Sequence, residues 1–403
     1  MIFGISVAAD APVRQASLRQ HNLRLVLAQV ASLSPQSRAD IAAATGLTRA
    51  TVSTLVDDLV SGSLLREVSP TPRSGAGRPG VGLVLNDADG PAGLGLEINV
   101  DYLAACVLDL AGTVRHREIQ PGDRRGVDPA QVLSSAAALA SRAMLAAEDQ
   151  GLTIAGTAVA VPGLVSPDRV IRLAPNLGWR DVDASGFTPG PLTVENEANL
   201  AALGELHHGS PGGSTSFLYV SGEIGIGAGI VLQGNLFRGA RGWSGELGHV
   251  AVNPGGPACR CGAHGCLEQY AGQEALLPPG TSVSDLAAAA DSGSEPDLGR
   301  LSTAASALGV TIAGVINLLD VDTVILGGIY APLTPWLRPG IEAEIANRVL
   351  TAAWSPVRIH PAALGSDAAV IGAAGAVIRA VHEEPAAWLL PIGPLRHRDS
   401  GKP

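Results

Sequence analysis

The chain is almost devoid of lysine: Lys402 is the only one among its 403 residues, and the other 26 basic side chains are arginines. The skew reads as a compositional bias and carries no functional meaning. Cysteine is also scarce. Four in this length exclude a disulfide scaffold. No run approaches the ~20 apolar residues needed to span a bilayer, and apolar stretches such as 365–380 are broken by Gly and Asp. The opening residues, Met1 to Gln15, lack a basic region and are interrupted by Gly4, Asp10 and Pro12, which makes a poor secretory signal. A cytoplasmic protein with reduced thiols and no membrane partner is therefore expected. The 46% of hydrophobic residues excludes a wholly disordered chain. The length suggests two to four domains.

The formal charge of −10 argues at first against a nucleic-acid partner. It is unevenly spread. Residues 1–86 carry eight Arg against five Asp or Glu, a net +3, and the remainder carries −13. A basic module on an acidic body is the arrangement expected if only the module touches phosphate.

The basic module has its own pattern. A first helix runs to about Ala31. Ser37 caps a short helix that Gly46 stops. Thr48 then caps a third, whose Val52, Leu55, Val56 and Leu59 share one face. The other face offers Thr48, Arg49, Ala50, Thr51 and Ser53, mostly short polar side chains beside one arginine, which suits approach to base edges in a major groove. Beyond Gly62, residues 64–68 and 82–85 read as a hairpin, and the loop between them carries Gly-Arg78-Pro, a slender tip suited to a minor groove. The segment resembles a winged helix-turn-helix. A three-helix module that binds protein is the plainer alternative.

Residues 87–403 read as α/β. Three strands with tight turns (93–100, 102–109, 113–119) lead to an Ala-rich helix at about 128–150 and a strand at 154–161. A second triplet of strands follows at 216–220, 226–233 and 236–238, then a helix at 302–319, a strand at 323–326 and a helix at 368–381. Two such halves suggest two lobes around a cleft.

Three cysteines, Cys259, Cys261 and Cys266, lie within eight residues. In a reduced compartment the cluster favours a metal over a disulfide, and a tetrahedral zinc needs one more ligand, for which His249 and His264 are candidates. Three inert buried thiols are the alternative. Cys106, in a strand, reads as a small core residue.

Motifs then add a family. Val194-Glu-Asn-Glu-Ala-Asn199, Gly242-Trp-Ser-Gly-Glu-Leu-Gly-His249 and Cys259-Arg-Cys-Gly-Ala-His-Gly-Cys-Leu-Glu268 resemble the signatures of the ROK family of repressors, open reading frames and sugar kinases. The resemblance runs from the helix-turn-helix to about residue 385. It implies an actin/hexokinase-like (ribonuclease H-like) two-lobed body behind the winged module: 1–86 reader, 87–385 body, with lobe one about 87–199 plus the C-terminal helix 366–385 and lobe two about 200–365, and 386–403 a mobile tail. It selects His249 as fourth ligand of a closed, structural Zn2+. It also implies a sugar site of Gly163, Asn176, Asn196, Glu197, Glu246, His249 and Glu268, side chains that can pair with a ring of hydroxyls. A solvated surface carboxylate is the plainer reading of any one of these acids.

The same comparison shows departures from the kinases. Glu197 stands where they have a catalytic Asp, and the extra methylene displaces the carboxylate. Their Asp-x-Gly-Gly-Thr phosphate turn is here Glu97-Ile-Asn-Val-Asp101, without glycine and with two acids. Glu223 replaces a short hydroxylated residue in Ser221-Gly-Glu-Ile-Gly225. We therefore expect no ATP and no catalytic residue. A sugar-sensing repressor of the xylose-repressor branch is expected instead, a homodimer or dimer of dimers on a palindromic operator. A working sugar kinase with an attached helix-turn-helix is the alternative.

Overall fold

A computed structural model describes residues 15–69, 81–209 and 213–389. The expected wing-tip contact Arg78 and the tail from 390 lie outside the described residues. The chain divides into two compact units: residues 1–91, 151–153 and 378–403, and residues 92–150 with 154–377.

In the smaller unit, α1 (Gln15–Ser32), α2 (Arg38–Thr45) and α3 (Arg49–Ser61) precede β1 (Leu65–Val68) and β2 (Gly82–Leu85). Local chemistry sets these bounds. Ser37 and Asp40 form a reciprocal capping box on α2, and Gly46, at φ +73°, ends it in a left-handed turn. Thr48 accepts the Thr51 N–H at the start of α3. Val52, Leu55, Val56 and Leu59 are buried, as their spacing requires. β1 pairs antiparallel with β2, from Leu65 opposite Leu85 to Val68 opposite Gly82. One expectation needs correction. Residues 386–389, assigned to a mobile tail, belong to a short helix, Pro385–Leu389, whose Trp388 Nε1 donates to the Gly62 carbonyl at 2.9 Å. An indole body with one hydrogen-bond donor gains both burial and a partner there.

The larger unit holds two five-stranded sheets of matching plan. In the first, β3 (Pro91–Ile98), β4 (Tyr102–Asp109) and β5 (Val114–Pro121) form an antiparallel meander. β6 (Thr153–Val161) and β10 (Leu192–Asn196) extend it beyond β3. In the second, β11 (Phe217–Gly222), β12 (Ile226–Leu232) and β13 (Asn235–Leu236) repeat the meander. β14 (Thr323–Gly328) and β15 (Arg358–Pro361) run parallel to β11 on its other side. A small third sheet, β7 (Leu164–Val165), β8 (Val170–Ala174) and β9 (Trp179–Asp183), lies between β6 and β10 in sequence.

The two-residue period of β11 sorts the core. Leu218 and Val220 pack with Leu308, Ile312, Leu337 and Ile341. Phe217 and Tyr219 pack with Leu200, Ala201, Ala369 and Ala373. The last set joins α5 (Glu197–His207) to α11 (Ala368–Glu383). The Ala-rich helix predicted at 128–150 is α4 (Pro129–Glu148), capped by Asp128 with Pro129 in its first turn. The helix predicted from Ser302 begins earlier: α9 is Glu295–Leu319, started by Pro296 in its first turn and acids at 295 and 297. α9 is long and apolar enough to cross a membrane, yet Leu301, Leu308, Ile312 and Ile316 of it are buried in the protein core.

Candidate functional site

The parallel plan of the two sheets brings two turns into correspondence: the one after β3, residues 99–101, and the one after β11, residues 223–225. Glu97 is the last residue but one of β3 and Glu223 follows β11. With Glu197, the first residue of α5, they line one small cavity of about 20 Å³, room for about one water, together with Tyr219, Ser221 and Ser366. Glu97 is 4% exposed. Its Oε1 accepts the Tyr102 hydroxyl at 2.7 Å, and its Oε2 is buried without a partner. Burial pushes the Glu97 carboxyl up to about 7, against hydrogen bonds from Tyr102 and Asn99 that lower it and with Asp367 adding to the rise; burial pushes Glu223 up to about 8, with Glu97 and Asp101 adding. Glu197 is raised well above the carboxylate range by burial first, then by Glu223, Glu97 and Glu246. Tyr102 is raised for the same reasons and stays a neutral donor. Sequence reading took Glu97 and Glu223 as separate losses of phosphate turns and Glu197 as a displaced base in the sugar site. Their convergence in one cavity was invisible to it, because no local pattern links positions as far apart as 97, 197 and 223.

Of the expected sugar residues, Glu197 alone lines this cavity; the others are placed by contacts of their own. Asn176 and Glu268 meet at Gly225: a Cβ there would lie 2.9 Å from Glu268 Oε2 and 3.2 Å from Asn176 Nδ2. Asn196 is largely committed to structure. Its Oδ1 accepts the N–H groups of Ala198 and Asn199 as the cap of α5, and its Nδ2 donates to the Gly163 carbonyl at 3.0 Å. One amide hydrogen is left for a ligand. Gly163 sits at φ +102° with the Leu173 carbonyl oxygen 2.1 Å from where a Cβ would be. Its place in the site is thus a backbone one.

Two supporting carboxylates escaped notice, though Glu195 belongs to a motif already quoted. Glu195 is 9% exposed and accepts Arg238 Nε at 2.7 Å, Asn199 Nδ2 at 3.0 Å and the Asn196 N–H at 2.9 Å. Glu205 accepts the N–H groups of Ala363 and Leu364, fixing the turn that leads to Ser366. Their types betray neither role, because buried acids and surface acids look alike in one sequence.

The cysteine cluster closes as the spacing suggested. His249, Cys259, Cys261 and Cys266 bring one ligand atom each to within 4.8 Å of one another, and the group can hold a metal ion. Cys261 and Cys266 sulfurs are 3.7 Å apart, and Cys259 Sγ lies 4.0 Å from His249 Nδ1. Bonds of ~2.3 Å to sulfur and ~2.0 Å to nitrogen give tetrahedral edges of about this length. His249 uses its two nitrogens differently. Nδ1 faces the thiols, and Nε2 lies 3.9 Å from Glu246 Oε2. One imidazole can therefore serve both the metal and the pocket, the two roles expected of it. His264 instead sits at an isolated bridge with Ala258, outside the ligand group. Burial pushes the Cys266 thiol up to about 12, while a backbone hydrogen bond from Ala263 lowers Cys261. Cys106 is a buried strand residue, as expected.

On the smaller unit, Arg49, Ala50 and the Thr48 cap are exposed, and Thr51 and Ser53 are half-buried at the same helix face. The Thr48 and Thr51 hydroxyls are paired at 2.8 Å. Acids near α3 are neutralised: Arg19 pairs with Asp58, and Arg38 with Asp57 and Glu67 at 2.8 Å each. Arg49 makes no ion pair among the described residues.

The chain matches the ROK family over residues 93–380. It is 30% identical over 380 residues to the xylose repressor of Bacillus spizizenii, an alignment covering 90% of this chain and 96% of that one. A glucokinase of Halalkalibacterium halodurans is 31% identical over 244 residues, covering 54% of this chain and 74% of the other. Among solved structures, a ROK family transcriptional regulator, described as a homologue of the E. coli MLC protein, superposes with a TM-score of 0.79 at 25% identity. It covers 92% of this chain and 99% of its own.

Proposed function

Since the chain belongs to the ROK family, we propose that it is a sugar-responsive transcriptional repressor working in the cytoplasm. Residues 1–86 read the operator and residues 87–385 sense the sugar. The observation that carries this reading is an exposed Arg49, without an ion pair among the described residues, on a capped helix, together with a cavity lined by three glutamates where a kinase would cradle phosphate. The repressor match spans both parts, whereas the glucokinase match covers about half of the chain.

In this reading Thr48, Arg49, Ala50, Thr51, Ser53 and Arg78 face DNA. Asn176, Glu246, His249 and Glu268 pair with sugar hydroxyls, Gly163 shapes the site through its backbone, and Asn196 offers its remaining amide hydrogen. The Cys3His group holds zinc, whose four protein ligands leave no open position and make it a structural fastener. A homodimer sets two readers on a palindromic operator. Sugar weakens DNA binding only through unequal affinity for the two states of the protein.

Operator affinity measured across a panel of sugars tests the proposal: at least one sugar should shift it, and indifference to all would overturn it. Arg49→Ala should lower operator affinity about tenfold or more, the order expected for loss of one good base or phosphate contact, and leave sugar affinity intact. Joint loss of both would mean misfolding.

Kinase chemistry is the second reading, favoured by the surviving carboxylate at Glu197. It requires phosphate held near that carboxylate. We expect no ATP turnover with glucose, mannose, xylose or N-acetylglucosamine in a coupled assay. Turnover that vanishes in Glu197→Gln would reverse this conclusion.

A further inference from the structure

We infer that Glu97 and Glu223 form a charge filter that keeps phosphorylated ligands out of the pocket, so that the effector is an uncharged sugar. This rests on the reading of the body as a sugar sensor and goes beyond the loss of ATP: it concerns the effector itself.

The observations are geometric. Glu97, Glu197 and Glu223 line one cavity, and its lining includes neither lysine nor arginine. Anions are usually held by guanidinium groups, ammonium groups or free backbone N–H groups. Here the Glu223 N–H is spent on the Gly225 carbonyl at 2.9 Å. Arg117 is spent on Asp367 at 2.6 Å, and Arg125 on Asp101 at 3.0 Å. What the cavity offers is the reverse of a phosphate site. The buried Glu97 Oε2 has no donor, and a carboxylate accepts readily from a hydroxyl. A neutral sugar brings hydroxyl donors. A phosphate ester brings a charge of about −1.5 to −2 and acceptors only.

Ionisation makes the filter depend on pH. Glu97 is faced by Glu223, Glu197, Tyr102 and the Asp367–Arg117 pair. Glu223 is faced by Glu97, Glu197, Asp101, Tyr102, Tyr219 and Tyr330. The tyrosines stay neutral, raised by burial. Glu97 and Glu223 ionise as pH rises through about 7 and about 8. Rejection of an anion therefore strengthens from pH 6 to pH 9.

The test is isothermal titration of the full zinc-loaded chain with D-xylose, D-glucose, D-mannose and N-acetyl-D-glucosamine, each beside its 5- or 6-phosphate. The expected result is binding of at least one free sugar, with its phosphate at least 100-fold weaker. In Glu97→Gln/Glu223→Gln the ratio of the two affinities should shrink below tenfold. Should that pair fail to fold, Glu223→Gln alone and a pH series on the unaltered protein replace it. The series uses the sulfate ester of the binding sugar, whose own charge is constant, and the sulfate-to-sugar gap should widen with pH. A phosphate ester that binds as tightly as its sugar overturns the filter and leaves the sensor standing. A ratio unchanged in the variants, or flat with pH, overturns the assignment to these two glutamates. Binding of neither form by folded protein overturns the sensor reading, and the filter with it.

Discussion

Cys261→Ser is expected to strip the chain of stoichiometric zinc and to cut its sugar affinity by at least 100-fold, while operator binding survives. The four donors come from one stretch, 249–266, whose backbone is tied largely to itself: the Val252 N–H donates to the Gly265 carbonyl, the Gly265 N–H to that of Pro257 and the Cys259 N–H to that of Ala263. Cys261 itself is exposed, so the apolar burial lost in the variant is negligible. What is lost is a thiolate. Structural zinc contributes about 10–16 kcal/mol in small zinc modules, and losing one ligand of four removes several kcal/mol of it. The stretch carries His249 at one end and runs directly into Glu268 at the other, with Glu246 just before it. A loosened stretch therefore misplaces three of the groups that face the ligand, and even ~1 Å of misplacement is costly. Metal analysis, sugar titration and operator binding on one preparation give the answer. Sugar affinity equal to the parent's in zinc-free variant would show that the metal does not organise the pocket. Zinc affinity itself should fall as pH falls, because the Cys266 thiol, pushed up to about 12, must give up its proton to bind.

The second large effect is expected from Gly163→Ala: a loss of about 2–4 kcal/mol in stability, in the range of local backbone strain plus overpacking, and at least 100-fold in sugar affinity. At φ +102° any side chain is strained. The added methyl would also stand 2.1 Å from the Leu173 carbonyl oxygen and 2.9 Å from the Ala174 Cα, both backbone, so the turn has to move. That turn's carbonyl receives Asn196 Nδ2, and Asn196 caps the helix that opens with Glu197. Displacing Gly163 therefore displaces the start of α5. Asn196→Ala should cost less, about 1–2 kcal/mol for a lost cap, and the double variant less than the sum, because the two residues share one contact. Gly178 is the control. It also has positive φ, +74°, but nothing lies within 4 Å of its would-be Cβ. Gly178→Ala should cost only about 1 kcal/mol of backbone strain and leave sugar affinity unchanged. Urea unfolding and sugar titration separate these cases. A Gly163→Ala protein as stable as the parent would refute the packing argument.

Helix bounds in the reader were legible because they are local. Ser37 with Asp40, Gly46 and Thr48 act on neighbours three or four residues away, and the sequence displays such neighbours directly. The cysteine cluster was legible for the same reason, with three ligands inside eight residues. The two meanders were legible from alternation and turns. Residues 386–389 were misjudged because what holds that helix, Trp388 on the Gly62 carbonyl, comes from more than three hundred residues away.

By itself, the amino-acid sequence determined the helix-turn-helix module with its positive charge, the cysteine cluster that could hold a metal, the duplicated α/β body and the family motifs. Only the tertiary structure decided what those motif residues are free to do. It committed most of the Asn196 amide to a cap and to Gly163, gave His249 one nitrogen for the thiols and one for Glu246, and buried Glu195 under Arg238. It also drew Glu97, Glu197 and Glu223 around one cavity. The physical reason is reach. Caps, turns and periodicity are set by adjacent residues, whereas the protonation, pairing and vacancy of a side chain depend on burial and on charges that strand pairing brings from distant parts of the chain.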